Sequence, residues 1–384
     1  MKNAVKHYPV NWTEGMKLNK DIFIAQDNAV WAQVSRLQAA ALSPVRYGLL
    51  PGYEFDVRIA ADNQQTVRVS IISCTALTIG GVLIDIQGEE EKEKDGYPSV
   101  TKGIAAASDQ TVYWAVLLIQ PFEREPFGEV DPNESPARLP FVKSSHRVEL
   151  IENSQLSQYE QHPYALIIGK IAVAGHQAVV DEHYLPPCFS VSASQDLMGL
   201  HAELDSFLAG LEQNCSLIVQ KIYKKSQNNE LSELARFLCD RVILFLSQAI
   251  TDYRWLNLHD SPVVMISRIV ALARTIKNTI DLRTGSGREE LMNYLCEWCD
   301  LNQGGLDSML SNMAQLRYNH NDINQSVDAI IVFAKTIGKL FSTLGGLEFI
   351  GKRKESGLFV KEEASPGLRV NEEQAPKPRR RFFG

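Results

Sequence analysis

The stretch from residue 184 to 197 constrains this chain more than any other, because hydrophobic periodicity changes there from two residues to between three and four. Pro186 and Pro187 remove two ladder donors and push Leu185 out of the helical region, so a sheet that precedes them has to end. A few residues later Ser192 and Gln195 have the spacing of a capping box, which opens a helix and contributes roughly 1 kcal/mol. The expected fold is therefore α+β and multidomain. An N-terminal arm, a helix and an antiparallel β-sandwich occupy residues 1–190, an antiparallel helical bundle occupies 191–346, and 347–384 forms a flexible basic tail containing proline.

Before the boundary, the segment 10–18 alternates weakly and reads as a strand or arm. A helical pattern follows, with Ile22, Phe23, Val30, Val34 and Leu37 on one side. From Tyr53 to Asp181 the pattern is β throughout. Residues 55–59 and 67–71 alternate with period two, Gly80-Gly81 reads as a hairpin turn, and Gly175-His176 reads as a second. The run 112–119 is continuously apolar, as in a central strand buried on both faces, and Pro121 is expected to end it. The acidic and lysine-rich run 88–96 and the segment from Pro126 to Pro140 read as exposed connections.

After the boundary, Leu197, Leu200, Leu204, Phe207, Leu211, Cys215, Ile218 and Ile222 form a heptad-like seam. Leu231, Leu234, Leu238, Val242, Phe245, Ala249, Tyr253 and Leu256 repeat it, so two long helices joined near residues 226–229 should pack antiparallel. Ser261-Pro262 opens a third helix along Ile266, Ile269, Ala273, Ile276 and Ile280. Ser286 with Glu289 reads as another capping box, and Gly304-Gly305 as an interruption in the helix that carries Leu291, Leu295 and Trp298 and resumes with Leu306, Leu310, Met313 and Leu316. A last helix from Ile323 turns Val327, Ile330, Ala334 and Ile337 inward and stops at Gly345-Gly346.

The chemistry that remains is thin. The formal charge of -7 over 384 residues argues against nucleic acid as a bulk partner. Six irregularly spaced cysteines fit a reducing compartment, and the absence of a leader and of a long apolar run points to the cytoplasm. Cys296 and Cys299 have a two-residue spacing but no second ligand pair, and fall inside an expected helix, so they read as buried structural thiols. Asp181, Glu182 and His183 read as a surface charge cluster. No catalytic residue, cofactor or metal site is expected.

Three places in the chain resemble the TssK family, the baseplate adaptor of type VI secretion systems. Trp12, Glu14, Gly15, Met16 and Leu18, followed by Phe23 and by Gln26-Asp27, are similar to the family's opening signature. Residues 184–188 with Ala193-Ser194 and Leu197 look like its junction motif, and Ser261-Pro262 leading to Ile269 and Leu272-Ala273 resembles a helix start of its bundle. The resemblance implies a non-enzymatic homotrimer with a shoulder akin to phage receptor-binding proteins, which grips a TssF/TssG-like wedge, and a helical neck. It also implies a membrane-complex partner and a place at the cytoplasmic face of the inner membrane when assembled.

Family members usually add a C-terminal head, whereas here a short polar tail follows Gly346. From residue 352 this tail carries nine Lys/Arg against five Glu and closes on Arg379, Arg380, Arg381, Phe382 and Phe383. That is the composition of a docking motif for a membrane-complex subunit or anionic lipid, at about 1 kcal/mol per basic residue. The wedge-binding candidates are Trp12, Glu14, Gly15, Met16, Leu18 and Phe23, since an apolar terminal segment of interface residue types precedes the sandwich. The competing reading is a phage-like β-sandwich receptor or glycan binder, which would need an exposed aromatic platform on the β half.

Overall fold

One long strand organises the first sheet of the structure, a computed structural model that describes residues 6–351 apart from 62–65, 88–97, 104–106, 176, 284 and 300. The acidic run 88–96 and the basic tail lie outside the described residues. The helix α1 (Lys20–Ala40) comes first, capped by the Asn19 side chain, which accepts a hydrogen bond from Ile22 N. β1 (Gly48–Leu49), β2 (Asp56–Ala61), β3 (Thr66–Leu77), β4 (Leu83–Ile86) and β5 (Ser99–Gly103) follow. All four partners pair antiparallel with β3: β1 and β4 along its C-terminal half, β2 and β5 along its N-terminal half. Val67, Val69 and Ile71 are buried while Arg68 between them is exposed, which is the period-two pattern expressed as one buried face.

A second antiparallel sheet contains β6 (Ala107–Phe127), β7 (Phe141–Glu152), β8 (Ala165–Gly175) and β9 (Gln177–Val180), in the order β7-β6-β8-β9. The apolar run 112–119 lies at its centre, and Trp114, Val116, Ile151, Ala165 and Ile167 form a buried cluster there. The two sheets face each other closely: a Cβ added at Gly169 of β8 would come within 2.3 Å of Ile59 Cδ1 on β2.

Pro121 does not end the central strand. The register of β6 against β7 shifts between Gln120 and Arg124, and pairing resumes to Phe127 opposite Phe141. Proline has no N–H to donate, so the strand accommodates it in a bulge where no ladder bond is required.

By contacts the chain divides into two units: Met1–Ala193 with Asn319–Asn324, and Ser194–Tyr318 with Gln325–Gly384. The double proline sits just before that division, and it does not leave the sheet at once. Leu49 N donates to Pro187 O at 2.8 Å and Phe189 N donates to Leu49 O at 3.0 Å. Gly48 allows this approach, having φ +106° and no Cβ, which would otherwise overlap the Pro187 carbonyl. The helix cap beyond is Ser194, whose hydroxyl accepts from Leu197 N at 3.4 Å, rather than Ser192, which sits in a short 3-10 turn and bonds Ser190. The turn shifts the helix start by two residues, and the cap function passes to the serine that ends in extended geometry.

In the second unit, α2 (Gln195–Lys224) buries Leu197, Leu200, Leu204, Leu208, Leu211, Cys215, Ile218 and Ile222. Leu208 replaces the expected Phe207, which is half-buried with its ring 6.3 Å from that of Phe333. α3 (Glu230–Trp255) likewise buries Leu246 where Phe245 was expected, and Leu256 is exposed just beyond its end. Single-residue slips of this kind arise because adjacent apolar residues are 100° apart and only packing chooses between them. The two helices run antiparallel: Arg254 pairs with Asp205 at 2.7 Å at one end, and Arg236 donates to Tyr223 Oη at 2.7 Å at the other.

α4 (Pro262–Asp281) starts with proline at its first position and buries its whole expected stripe. α5 (Ser286–Cys296) has Gly285, not Ser286, at its N-cap. Residues 297–302 separate α5 from α6 (Gln303–Ala314), so Gly304 and Gly305 fall inside the first turn of α6 and do not form the break. α7 (Ile323–Gly346) buries Val327, Ile330, Ala334 and Ile337 and reaches the expected glycine pair.

Candidate interaction surface

α1 faces the wrong way for a helix that stabilises a core. Its buried residues are Ala29 and Ala32, while Phe23, Val30, Val34 and Leu37 are exposed, Leu37 at 75% and Phe23 at 52%. At 100° per residue these four lie within roughly 60° of one another, on a stripe about 21 Å long and opposite the small residues. Small side chains permit a close seat on the sandwich: a Cβ at Gly81, in the β3–β4 turn, would fall 2.2 Å from Ser35 O. Gly81 also has φ +74°, so turn geometry and helix approach require glycine at one position. At the other end Arg124, in the β6 bulge, donates to Asn28 Oδ1 at 3.1 Å and to Asp27 Oδ2 at 3.4 Å, and its guanidinium lies 5.0 Å from the centre of the Trp31 ring. The bulge that Pro121 occupies thus aims a cation at the helix.

The arm leads into the same face. Residues 6–19 join neither sheet. Met16 N donates to Thr13 O at 3.3 Å across a turn in which Gly15 has φ +76°, and Val10 N donates to Gln26 Oε1 at 3.0 Å. Of the residues the sequence singled out, Trp12, Leu18 and Phe23 are exposed, and the Trp12 and Phe23 rings lie 6.2 Å apart. Glu14 and Gly15 are exposed at the turn, and Met16 is half-buried. Arm and helix together present Trp12, Leu18, Phe23, Val30, Val34 and Leu37, a large apolar patch of the kind that marks an interaction site. The docking candidates Arg379, Arg380, Arg381, Phe382 and Phe383 lie outside the described residues.

The first unit contains a second constellation that sequence reading did not identify. The segment Asn319–Asn324 packs into it largely through polar groups, with Ile323 buried among them and the His320 ring set edge-on 4.8 Å from that of Tyr47. Lys170 Nζ pairs with Asp322 Oδ2 at 2.7 Å, the Asp322 side chain being 4% exposed, and the same ammonium lies 5.0 Å from the Trp114 ring centre. Tyr47 Oη donates to Asn321 Oδ1 at 2.7 Å, Tyr184 Oη donates to Asn321 O at 2.8 Å, and Asn324 bridges Leu185 N and His183 O. His320 Nε2 lies 3.0 Å from Tyr47 O, an acceptor, so this nitrogen carries the proton. Burial pushes the His320 imidazole down to about 4, only partly offset by that hydrogen bond. Burial likewise pushes the Tyr47 and Tyr184 phenols up. With its groups mutually bonded, this is a polar core that locks a segment in place.

The Cys296–Cys299 pair stays together, the two side chains bonding each other, with Cys299 buried and Cys296 half-buried. Cys296 ends α5 and Cys299 lies beyond it, and the Cys296 thiol is pushed up to about 11, first by burial, so it is a poor nucleophile. Asp181 closes a turn by accepting from His183 N at 3.1 Å. Among the described residues no group of three or more His, Cys, Asp or Glu converges as a metal ion would need, and no helix is long and apolar enough to cross a membrane.

No family model matches the chain, and no curated protein matches it. Solved structures do. A crystal structure of TssK aligns with 88% of this chain and 70% of its own, at 16% identity and a TM-score of 0.52. The baseplate complex from the type VI secretion system aligns with 88% of this chain and 100% of that chain at 14% identity and TM-score 0.48, and the TssK-TssF-TssG baseplate subcomplex with 81% and 99% at 17% and 0.40. The first of these likenesses establishes the fold: a β half followed by a helical half, as in TssK.

Proposed function

We propose that this chain is a structural adaptor in the baseplate of a type VI secretion machine, and that it works without enzymatic chemistry. The reading is carried by one conjunction: a TssK-like fold over 88% of the chain, with an opening segment like that of the TssK family folded into an exposed apolar surface. In this reading the arm and α1 grip a TssF/TssG-like wedge, with Trp12, Leu18 and Phe23 as anchors and Glu14, Gly15 and Met16 shaping the turn between them. The aromatic and aliphatic anchors are the residue types that dominate interface energetics. The chain acts as a homotrimer at the cytoplasmic face of the inner membrane, and the basic tail with Arg379, Arg380, Arg381, Phe382 and Phe383 contacts a membrane-complex subunit.

Co-expression with the wedge proteins of the same gene cluster tests this. Wild type should co-purify with them as a trimer by light scattering, and Trp12→Ala with Phe23→Ala should lose the wedge while remaining trimeric. Retention of the wedge by that double variant would remove the surface from the account. A chain ending at Pro376 should keep the wedge and lose the membrane complex, and unchanged membrane-complex recovery would remove the tail.

A further inference from the structure

On the side of α1 away from its apolar stripe, two hollows in the first unit meet. The larger, about 790 Å³, is bounded by Ser35 and Arg36 of α1, by Lys6 and Tyr8 of the arm and by the β3–β4 turn at Gly80. The smaller, about 510 Å³, lies over the β6 bulge against Arg147, Tyr159 and His162. Phe122 and Tyr164 line both, so they form one elongated groove.

Its two ends differ in chemistry. The larger hollow has two cations, Lys6 and Arg36, and no carboxylate in its lining. Among the described residues neither cation forms an ion pair, so both keep their full charge for a ligand. The smaller is lined by rings: His162 stands between Tyr159 and Tyr164, with centroids 6.3 and 5.9 Å away, and Phe122 is braced by His7 at 4.0 Å. Its one arginine is already paired, Arg147 with Glu149 at 2.7 Å, and the Glu123 carboxylate, which accepts from Gln120 Nε2 at 3.0 Å, keeps a negative charge at this end. An occupant must therefore bring negative charge to one end and a flat or branched apolar group to the other.

We infer that this groove docks an extended acidic peptide segment of a partner protein, with carboxylates over Lys6 and Arg36 and an aromatic or leucine side chain against Tyr159, Tyr164 and Phe122. A polyanion such as nucleic acid fits less well, because at the ring-lined end Arg147 is already paired with Glu149 and the Glu123 carboxylate repels phosphate. The exposed side-chain amide of Gln158 is placed to bond a peptide backbone crossing the rings. The site does not depend on the baseplate reading, because its residues lie off the stripe through which α1 would grip a wedge.

Fluorescence anisotropy on the full chain provides the test, using a labelled panel of nonapeptides in which Asp and Glu flank one Phe at varied positions, the same panel with Asn and Gln, and a single-stranded oligonucleotide. Acidic peptides should bind, added salt should weaken them, and Arg36→Glu or Lys6→Glu should lower affinity about tenfold or more. Both side chains are exposed, so these variants should fold as wild type does. Tyr159→Ser should weaken the acidic peptides without changing their salt dependence. The inference is overturned if the amide panel binds as well as the acidic one, if the oligonucleotide competes equally, or if charge reversal at Arg36 and Lys6 leaves affinity unchanged.

Discussion

Two helices in this molecule carry the same kind of apolar spacing and use it in opposite ways. α2 turns its stripe of leucines inward, where Leu197, Leu200 and Leu204 have no exposed surface. α1 seats itself on alanines and turns Phe23, Val30, Val34 and Leu37 outward. The difference teaches that periodicity of three and four reports an apolar face and says nothing about what covers it. For α2 the cover is the rest of the bundle, so each side chain contributes roughly 1.5–3 kcal/mol to folding. For α1 that burial is still available to a partner, which is why the helix is the better candidate for recognition than for stability.

Truncation separates the two most sharply. Leu204→Ala should cost about 2–5 kcal/mol, read as a lowered denaturation midpoint, because it opens a cavity in a packed seam. An unchanged midpoint would mean that the α2 stripe is not core. Next in size is a polar counterpart of that core. His320 is held neutral in the folded chain, with its value near 4, whereas in the unfolded chain it titrates near 6.5. The unfolded state therefore binds a proton first as pH falls, and stability is lost progressively between about pH 6.5 and 4, by about 3 kcal/mol in total. In the difference between wild type and His320→Gln across that window the trend should appear; a flat difference would place the imidazole in water.

Smaller effects probe how α1 is seated and how α2 begins. Gly81→Ala should cost at least about 1–2 kcal/mol, since it puts a side chain at positive φ into the path of the helix, and faster amide exchange in α1 should accompany the loss. Unperturbed exchange in α1 would show that the helix does not rest on that turn. Ser194→Ala should cost about 1 kcal/mol, whereas Ser192→Ala should cost less, because only Ser194 bonds the helix N-terminus. The reverse order would restore the capping box to Ser192. Smallest of all, Leu37→Ser should change stability by less than about 0.5 kcal/mol, although it removes a leucine from an apolar stripe. A loss comparable to that of Leu204→Ala would erase the distinction between the two helices.

Much of the architecture was legible because local rules sufficed. The alternation in β3, the turn at Gly80-Gly81, the proline that starts α4 and the stripes of α4 and α7 each depend on a few adjacent residues. The misses were of two kinds. Phe207 against Leu208, Phe245 against Leu246 and Ser192 against Ser194 are choices between neighbours of similar chemistry, which packing and backbone geometry settle. Pro121 and the segment Asn319–Asn324 are different in kind. A proline is compatible with a strand only if the partner strand slips register around it, and a run of Asn, His, Asn and Asp reads as loop until partners such as Lys170, Tyr47 and Tyr184 are brought to it from 137 or more residues away.

By itself the amino-acid sequence determined where β gives way to α, which segments are mostly strand or helix, and that the arm and α1 carry large apolar side chains, because backbone propensity and hydrophobic period are short-range properties. Only the tertiary structure decided that the face of α1 bearing Val34 and Leu37 looks to solvent, that Arg124 and Gly81 hold the helix by its other side, and that His320 and Asp322 lie in a polar core. Which surface a side chain meets is fixed by residues distant in sequence, and burial, charge pairing and proton affinity follow from that meeting.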